Sequence, residues 1–123
     1  MNQKQTVAVL GASPKPQRYS NQAIRLLIKK GHTVIPVHPV LDVIEDTPVI
    51  HDLKDIRTPV DTLTVYVGPE RSTAMIERIV ALNPGRVILN PGTENPALES
   101  KLDENNIAYL KACTLVMLHT EQF

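Results

Sequence analysis

The sequence predicts an α/β fold: one mostly parallel sheet of five to six strands between two layers of helices, formed by residues 1–123 as a single domain. Three observations carry this. Short, valine-rich apolar runs recur, beginning with Thr6–Leu10, and unbroken apolar character marks strands buried on both faces. Segments with apolar residues at helical spacing alternate with these runs from end to end. Glycine and proline turn signals fall between them, as in Asn90-Pro-Gly-Thr93. Strand–helix alternation with right-handed crossovers gives a Rossmann-like α/β/α sandwich.

Each element has its own signal. After the Thr6–Leu10 strand, Ser20 is expected to cap a helix with Ala23, Ile24, Leu27 and Ile28 on one face. Lys29 and Lys30 suit the negative end of its dipole, and Gly31 suits the left-handed position that ends it. Thr33–Val37 is the next strand. Pro36 cannot donate to a ladder, so one side of that strand is open there or the strand bulges. Residues 39–59 are the least regular, with a short strand expected at Val49–Ile50 and a turn of helix at Asp52–Ile56. Thr62–Val67 reads as a strand. Pro69–Leu82 reads as a helix with Met75, Ile76, Ile79 and Val80 inward, started by Pro69 and by Glu70 in its first turn. Val87–Leu89 is a strand and Asn95–Glu104 a helix with Leu98 and Leu102 inward. Ile107–Leu110 and Leu115–Leu118 read as closing strands.

Composition excludes several classes. Thirteen basic and thirteen acidic residues balance, which argues against bulk attraction to nucleic acid or to a membrane surface. No apolar run approaches the length of a membrane span. The residues before Thr6 do not read as a signal peptide. A lone cysteine, Cys113, rules out an internal disulfide framework and fits the reducing cytoplasm. Three tyrosines and one phenylalanine are too few for a base-stacking platform.

In parallel sheets of this kind, ligands bind beyond the carboxyl ends of the strands, so the loops there decide function. The loop after the first strand holds Gly11, then a proline-stiffened basic stretch through Ser13, Lys15, Arg18 and Tyr19 to Ser20. A helix start with two nearby cations favours an anion such as a phosphate. The loop lacks the three spaced glycines of a dinucleotide fingerprint, and the second strand ends in Val37-His38-Pro39 without the acid that binds an NAD ribose. It also lacks the lysine of a P-loop.

These segments resemble those of the small stand-alone CoA-binding proteins, which share a fold with the N-terminal CoA-binding domain of the succinyl-CoA synthetase alpha subunit. The resemblance runs through Val9-Leu-Gly-Ala-Ser-Pro-Lys-Pro-Gln-Arg-Tyr-Ser20, Gly31-His-Thr-Val-Ile-Pro-Val-His-Pro39, Val60-Asp61, Val67-Gly-Pro-Glu70, Asn90-Pro-Gly-Thr-Glu-Asn95 and Lys111-Ala-Cys113, covering about residues 5–118. It implies coenzyme A as the ligand. Gly11, Ala12, Ser13, Lys15 and Arg18 would hold phosphates. Val37, His38 and Pro39 would line the adenine–ribose end. Val67, Gly68 and Pro69 would face adenine or pantetheine, and Asn90, Pro91 and Gly92 would border the thiol arm. Position 38 is His where the family usually has Asn. The synthetase's phosphorylated histidine comes from a second domain, so that activity does not carry over.

The remaining candidates are weighed against plainer roles. His32, His38, His51 and His119 show no metal-ligand spacing, and only His38 has a strand-end position suited to a ligand. Cys113 is either a small buried hydrophobe or a thiol beside the pantetheine sulfur, open to a mixed disulfide and activated by Lys111. Asp42, Glu45, Asp46, Asp52 and Asp55 read as a solvated loop. No nucleophile motif is present. The expected function is therefore binding of CoA or an acyl-CoA without catalysis by this chain alone. The alternatives are a partner-dependent subunit of an acyl-CoA ligase or transferase, an NAD-binding domain, and a structural interaction module.

Overall fold

The computed structural model describes residues 3–123. Its centre is a five-stranded parallel sheet of β1 (Thr6–Leu10), β2 (Thr33–Val37), β5 (Thr62–Val65), β6 (Arg86–Leu89) and β7 (Ala108–Lys111), in the order β2-β1-β5-β6-β7. Two further strands, β3 (Val43–Ile44) and β4 (Thr47–Pro48), form a small antiparallel hairpin. The helices are α1 (Tyr19–Lys29), α2 (Pro69–Thr73), α3 (Ile76–Leu82), α4 (Pro96–Glu104) and α5 (Thr114–His119), with a 3-10 turn at Leu53–Asp55. Among the described residues no helix is long and apolar enough to cross a membrane.

Side-chain alternation along β1 builds both cores. Val7 and Val9 point to one face, where Ile24 and Leu27 of α1 and Leu118 of α5 pack. Ala8 and Leu10 point to the other, against Ile79 of α3 and Leu98 and Leu102 of α4. All ten of these side chains are essentially buried, so the sheet is covered on both sides as its apolar runs require. The chain leaves β1 towards the α1 face and leaves β5 towards the α3 face. The strand order thus reverses direction between β1 and β5, and a crevice opens at their carboxyl ends.

Pro36 lies on the sheet edge. Its carbonyl accepts from the Ile50 N–H at 3.0 Å, on the side away from β1, so the missing proline N–H also falls on that outer side and costs the β1–β2 ladder nothing. His38 N–H in turn donates to the Ile50 carbonyl at 3.1 Å, and the Val37–Ile50 bridge brings the irregular segment back beside β2.

Several expectations are corrected. Leu115–Leu118 is not a strand but part of α5: a four-residue apolar run fits either period, and here Leu118 is buried while Val116 is exposed. The expected Pro69–Leu82 helix breaks at Ala74–Met75, where Thr73 Oγ1 donates back to the Pro69 carbonyl at 2.8 Å and Met75 N–H closes on Ser72 instead. Within it, Ile79 is buried but Met75, Ile76 and Val80 are half-buried. The β5 strand ends at Val65 rather than Val67. Ile28 is exposed, at the margin of the apolar face of α1. Ser20 does not cap that helix; Arg18 occupies the cap position and Ser20 lies inside the first turn. Val49–Ile50 contributes only the bridge to Val37, and the strands of that region are the hairpin just before it.

Candidate functional site

The crevice beyond β1 and β5 holds a cavity of about 800 Å3. Its floor begins at Leu10 and Gly11. Gly11 has φ +88°, and a Cβ there would stand 2.9 Å from Val67 Cγ1 and 3.1 Å from the Tyr66 carbonyl carbon, so only glycine allows the chain to turn off β1 against the end of β5. The turn then closes on itself. Lys15 N–H donates to Ser13 Oγ at 3.1 Å, and Arg18 N–H donates to the Lys15 carbonyl at 3.1 Å.

The loop is tied down by side chains of the helix it feeds. Asn21 Nδ2 donates to the Ser13 carbonyl at 2.9 Å, and Arg25 Nη2 donates to the Pro16 carbonyl at 2.7 Å. Asn21 is fully buried; its amide also reaches Glu45 Oε2, and Arg25 Nε donates to its carbonyl oxygen. It is a positioning residue that sequence reasoning missed. Its signal was a polar residue between Ser20 and Ala23, with Arg25 four positions on. Arg18 provides no side-chain cap, so the first N–H groups of α1 lack one, and Arg18, Tyr19 and Ser20 at that helix end line the cavity. Lys15 and Arg18 stand beside them, exposed and without an ion-pair partner among the described residues.

At the β2 end the wall is Val37, His38 and Pro39. His38 Nδ1 accepts from Val40 N–H at 3.1 Å and from Leu41 N–H at 3.0 Å. An Asn side-chain oxygen, expected here from the resemblance, would accept in the same local turn. With Nδ1 accepting, Nε2 is the N–H donor of the ring. His51, Asp52 and Leu53 continue this wall. His51 Nε2 lies 2.9 Å from Asp42 Oδ1 and 3.1 Å from the Leu41 carbonyl, which fixes the outer strap of the site. Asp52 was read as part of a solvated loop. Instead it reaches the cavity through the Ile50 bridge, so a carboxylate stands near the end of β2 although none follows that strand in sequence. Its carboxylate accepts from Lys54 N–H at 3.1 Å and from Arg78 Nη1 at 2.9 Å, and these hold it below the ordinary carboxylate range, the Lys54 bond being the larger cause.

The face opposite the loop is formed by Arg71 of α2 with Met75 and Arg78, and the far end by Tyr66, Pro91 and Thr93. Tyr66 is deeply placed. Its hydroxyl is buried without a hydrogen bond of its own beside Thr64 and Thr114, whose hydroxyls pair with each other at 2.8 Å. Burial pushes the phenol up to about 12; the two threonines offset this in part and Cys113 adds to it.

Of the residues picked out from sequence, Gly11, Ala12, Ser13, Lys15, Arg18, Tyr19, Ser20, Val37, His38, Pro39 and Pro91 line one cavity. Val67, Gly68, Pro69, Asn90, Gly92 and Cys113 are not among the residues that line it. Asn90 is a buried hub: Nδ2 donates to Thr64 Oγ1 at 2.7 Å and to the Val65 carbonyl at 2.9 Å, and Oδ1 accepts from Thr114 N–H at 2.9 Å. Gly68 is the cap residue of α2 and Pro69 its first residue. Cys113 is half-buried at the start of α5, and Lys111, expected to activate it, pairs with Glu99 at 3.2 Å instead. No group of three metal-ligating side chains comes together among the described residues.

A family model described as a CoA binding domain matches residues 5–119. The uncharacterized protein YneT of Bacillus subtilis (strain 168) is 26% identical over 80 residues, which is 65% of this chain and 59% of that protein. The match thus spans about three fifths of that curated relative. Among solved structures, an uncharacterized protein is 38% identical with TM-score 0.93, over 99% of this chain and 100% of its own. A Thermus thermophilus protein, cell-free ID.343, is 32% identical with TM-score 0.88, over 98% of this chain and 91% of its own. The fold recurs in a dinucleotide-forming acetyl-coenzyme A synthetase 1 of Ca. Korarchaeum cryptofilum, at 21% identity and TM-score 0.74, over 86% of this chain and 25% of that one.

Proposed function

This chain belongs to the family of CoA-binding domains, and we propose that it binds coenzyme A, or an acyl-CoA, across the ends of β1, β2, β5 and β6 and catalyses no reaction by itself. The observation that supports this most is the convergence of the uncapped start of α1 with Lys15 and Arg18 on one side of the cavity. Backbone N–H groups, the helix dipole and two unpaired cations together favour a pyrophosphate there. The adenine and ribose then lie towards Val37, His38 and Pro39, and the pantetheine arm runs past Tyr66 and Met75 towards Pro91. Val67, Gly68, Asn90 and Gly92 support that arm from behind.

Titration calorimetry with CoA and with NAD tests the reading. CoA is expected to give a saturable heat, and Arg18→Ala to weaken its binding by about 1–3 kcal/mol through loss of a charge-assisted contact. Heat with NAD and none with CoA would overturn the proposal.

A further inference from the structure

The cavity has a second group of cations, on the opposite face of the sheet from the loop at residues 11–18. Arg71 on α2 and Arg78 on α3, on either side of the break at Ala74–Met75, both line it. Arg78 is held in place: Nη1 donates to Asp52 Oδ2 at 2.9 Å and Nη2 to the Ala74 carbonyl at 3.2 Å. Asp52 is itself fixed by Lys54 N–H. This anchoring uses two donors of a five-donor guanidinium, and the side chain remains 40% exposed. Arg71 makes no ion pair among the described residues. Asp52 follows the Ile50 bridge to β2, so the Arg78–Asp52 pair reaches the cavity from the β2 side, while Arg71 lines it from α2; both arginines stand on the helix layer opposite the one that carries Lys15 and Arg18. The cavity therefore offers two separate cationic sites, matching a ligand with two separate anionic groups.

We propose that Arg71 and Arg78 form a second phosphate subsite, which reads a phosphate on the ribose 3′-oxygen while the loop at residues 11–18 holds the pyrophosphate. This rests on the CoA reading above and sharpens it: the site distinguishes CoA from dephospho-CoA, which differs only in that group. Asp52 is the positioning residue that keeps Arg78 aimed at it.

The test is calorimetry with CoA and dephospho-CoA on the wild-type chain and on Arg71→Gln, Arg78→Gln and Arg18→Ala. The wild type is expected to bind dephospho-CoA about ten- to a hundredfold more weakly than CoA. Either glutamine variant reduces that ratio towards one by weakening CoA alone. Arg18→Ala weakens both ligands and leaves the ratio unchanged. Equal wild-type affinities for the two ligands would overturn the subsite and leave the CoA reading standing, whether or not the variants fold. A glutamine variant that weakens both ligands equally would assign its arginine a structural role and also overturn the subsite. Binding of neither ligand would overturn both readings.

Discussion

Tyr66 shows how one residue carries both structural cost and site shape. Its ring lines the cavity, while its hydroxyl is buried between threonines that satisfy each other. A phenol raised from 10.0 to about 12 by burial keeps its proton past the pH at which the unfolded chain loses it. Its contribution to stability is thus intact below about pH 10 and lost as the pH rises towards 12, a loss of the order of 2 kcal/mol. Tyr66→Phe removes the ionisable group and an unpaired buried hydroxyl together. Urea unfolding is expected to show neutral-pH stability within about 1 kcal/mol of wild type and a flatter alkaline limb. An unchanged alkaline limb would place the titrating group elsewhere.

At the scale of elements, the connection between α2 and α4 depends on one side chain. Asn95 Oδ1 accepts from Ala97 N–H and Leu98 N–H at the start of α4, and its backbone N–H donates to Glu99 Oε2 at 3.0 Å, a reciprocal cap. The amide nitrogen reaches across to Ser72 Oγ at 2.7 Å and Thr73 Oγ1 at 2.9 Å on α2. Asn95→Ala therefore removes a cap and an inter-helix tie together, and is expected to cost about 1–3 kcal/mol in chemical unfolding. A loss below about 0.5 kcal/mol would mean that water replaces these bonds. The helix was legible as Asn95–Glu104, from the apolar spacing of Leu98 and Leu102, with Asn95 counted inside it rather than as its cap. The tie was not, because it joins residues more than twenty positions apart. The same division runs through the whole site. Gly11 and the basic loop after it were readable from their neighbours in the chain. Asp52, Arg71 and Arg78 were not: their places depend on the Ile50 bridge and on a helix broken at Ala74, neither of which leaves a periodic trace. Leu115–Leu118 failed for another reason, since four apolar residues cannot distinguish a period of 2 from one of 3.6.

At the scale of the molecule, the cavity spans the reversal in strand order, so its walls come from both halves of the fold. The loop at residues 11–18 belongs to the unit of β1, α1 and β2, and the arginine face to the unit of β5, α2, α3 and β6. A ligand touching both would hold the halves to each other, and one that binds only the folded chain raises stability by mass action. CoA at a hundred times its dissociation constant is worth about 2.7 kcal/mol, which for a domain of this size is a rise in Tm of roughly 10 °C. Thermal unfolding followed by circular dichroism at increasing CoA checks this, with dephospho-CoA at the same concentrations as the comparison. The expected result is a Tm that climbs with the logarithm of CoA concentration, and a curve for dephospho-CoA displaced to higher concentration by the ratio of the two affinities. A Tm indifferent to CoA would mean that CoA does not bind the folded chain, and would overturn the CoA reading of the crevice at the strand reversal.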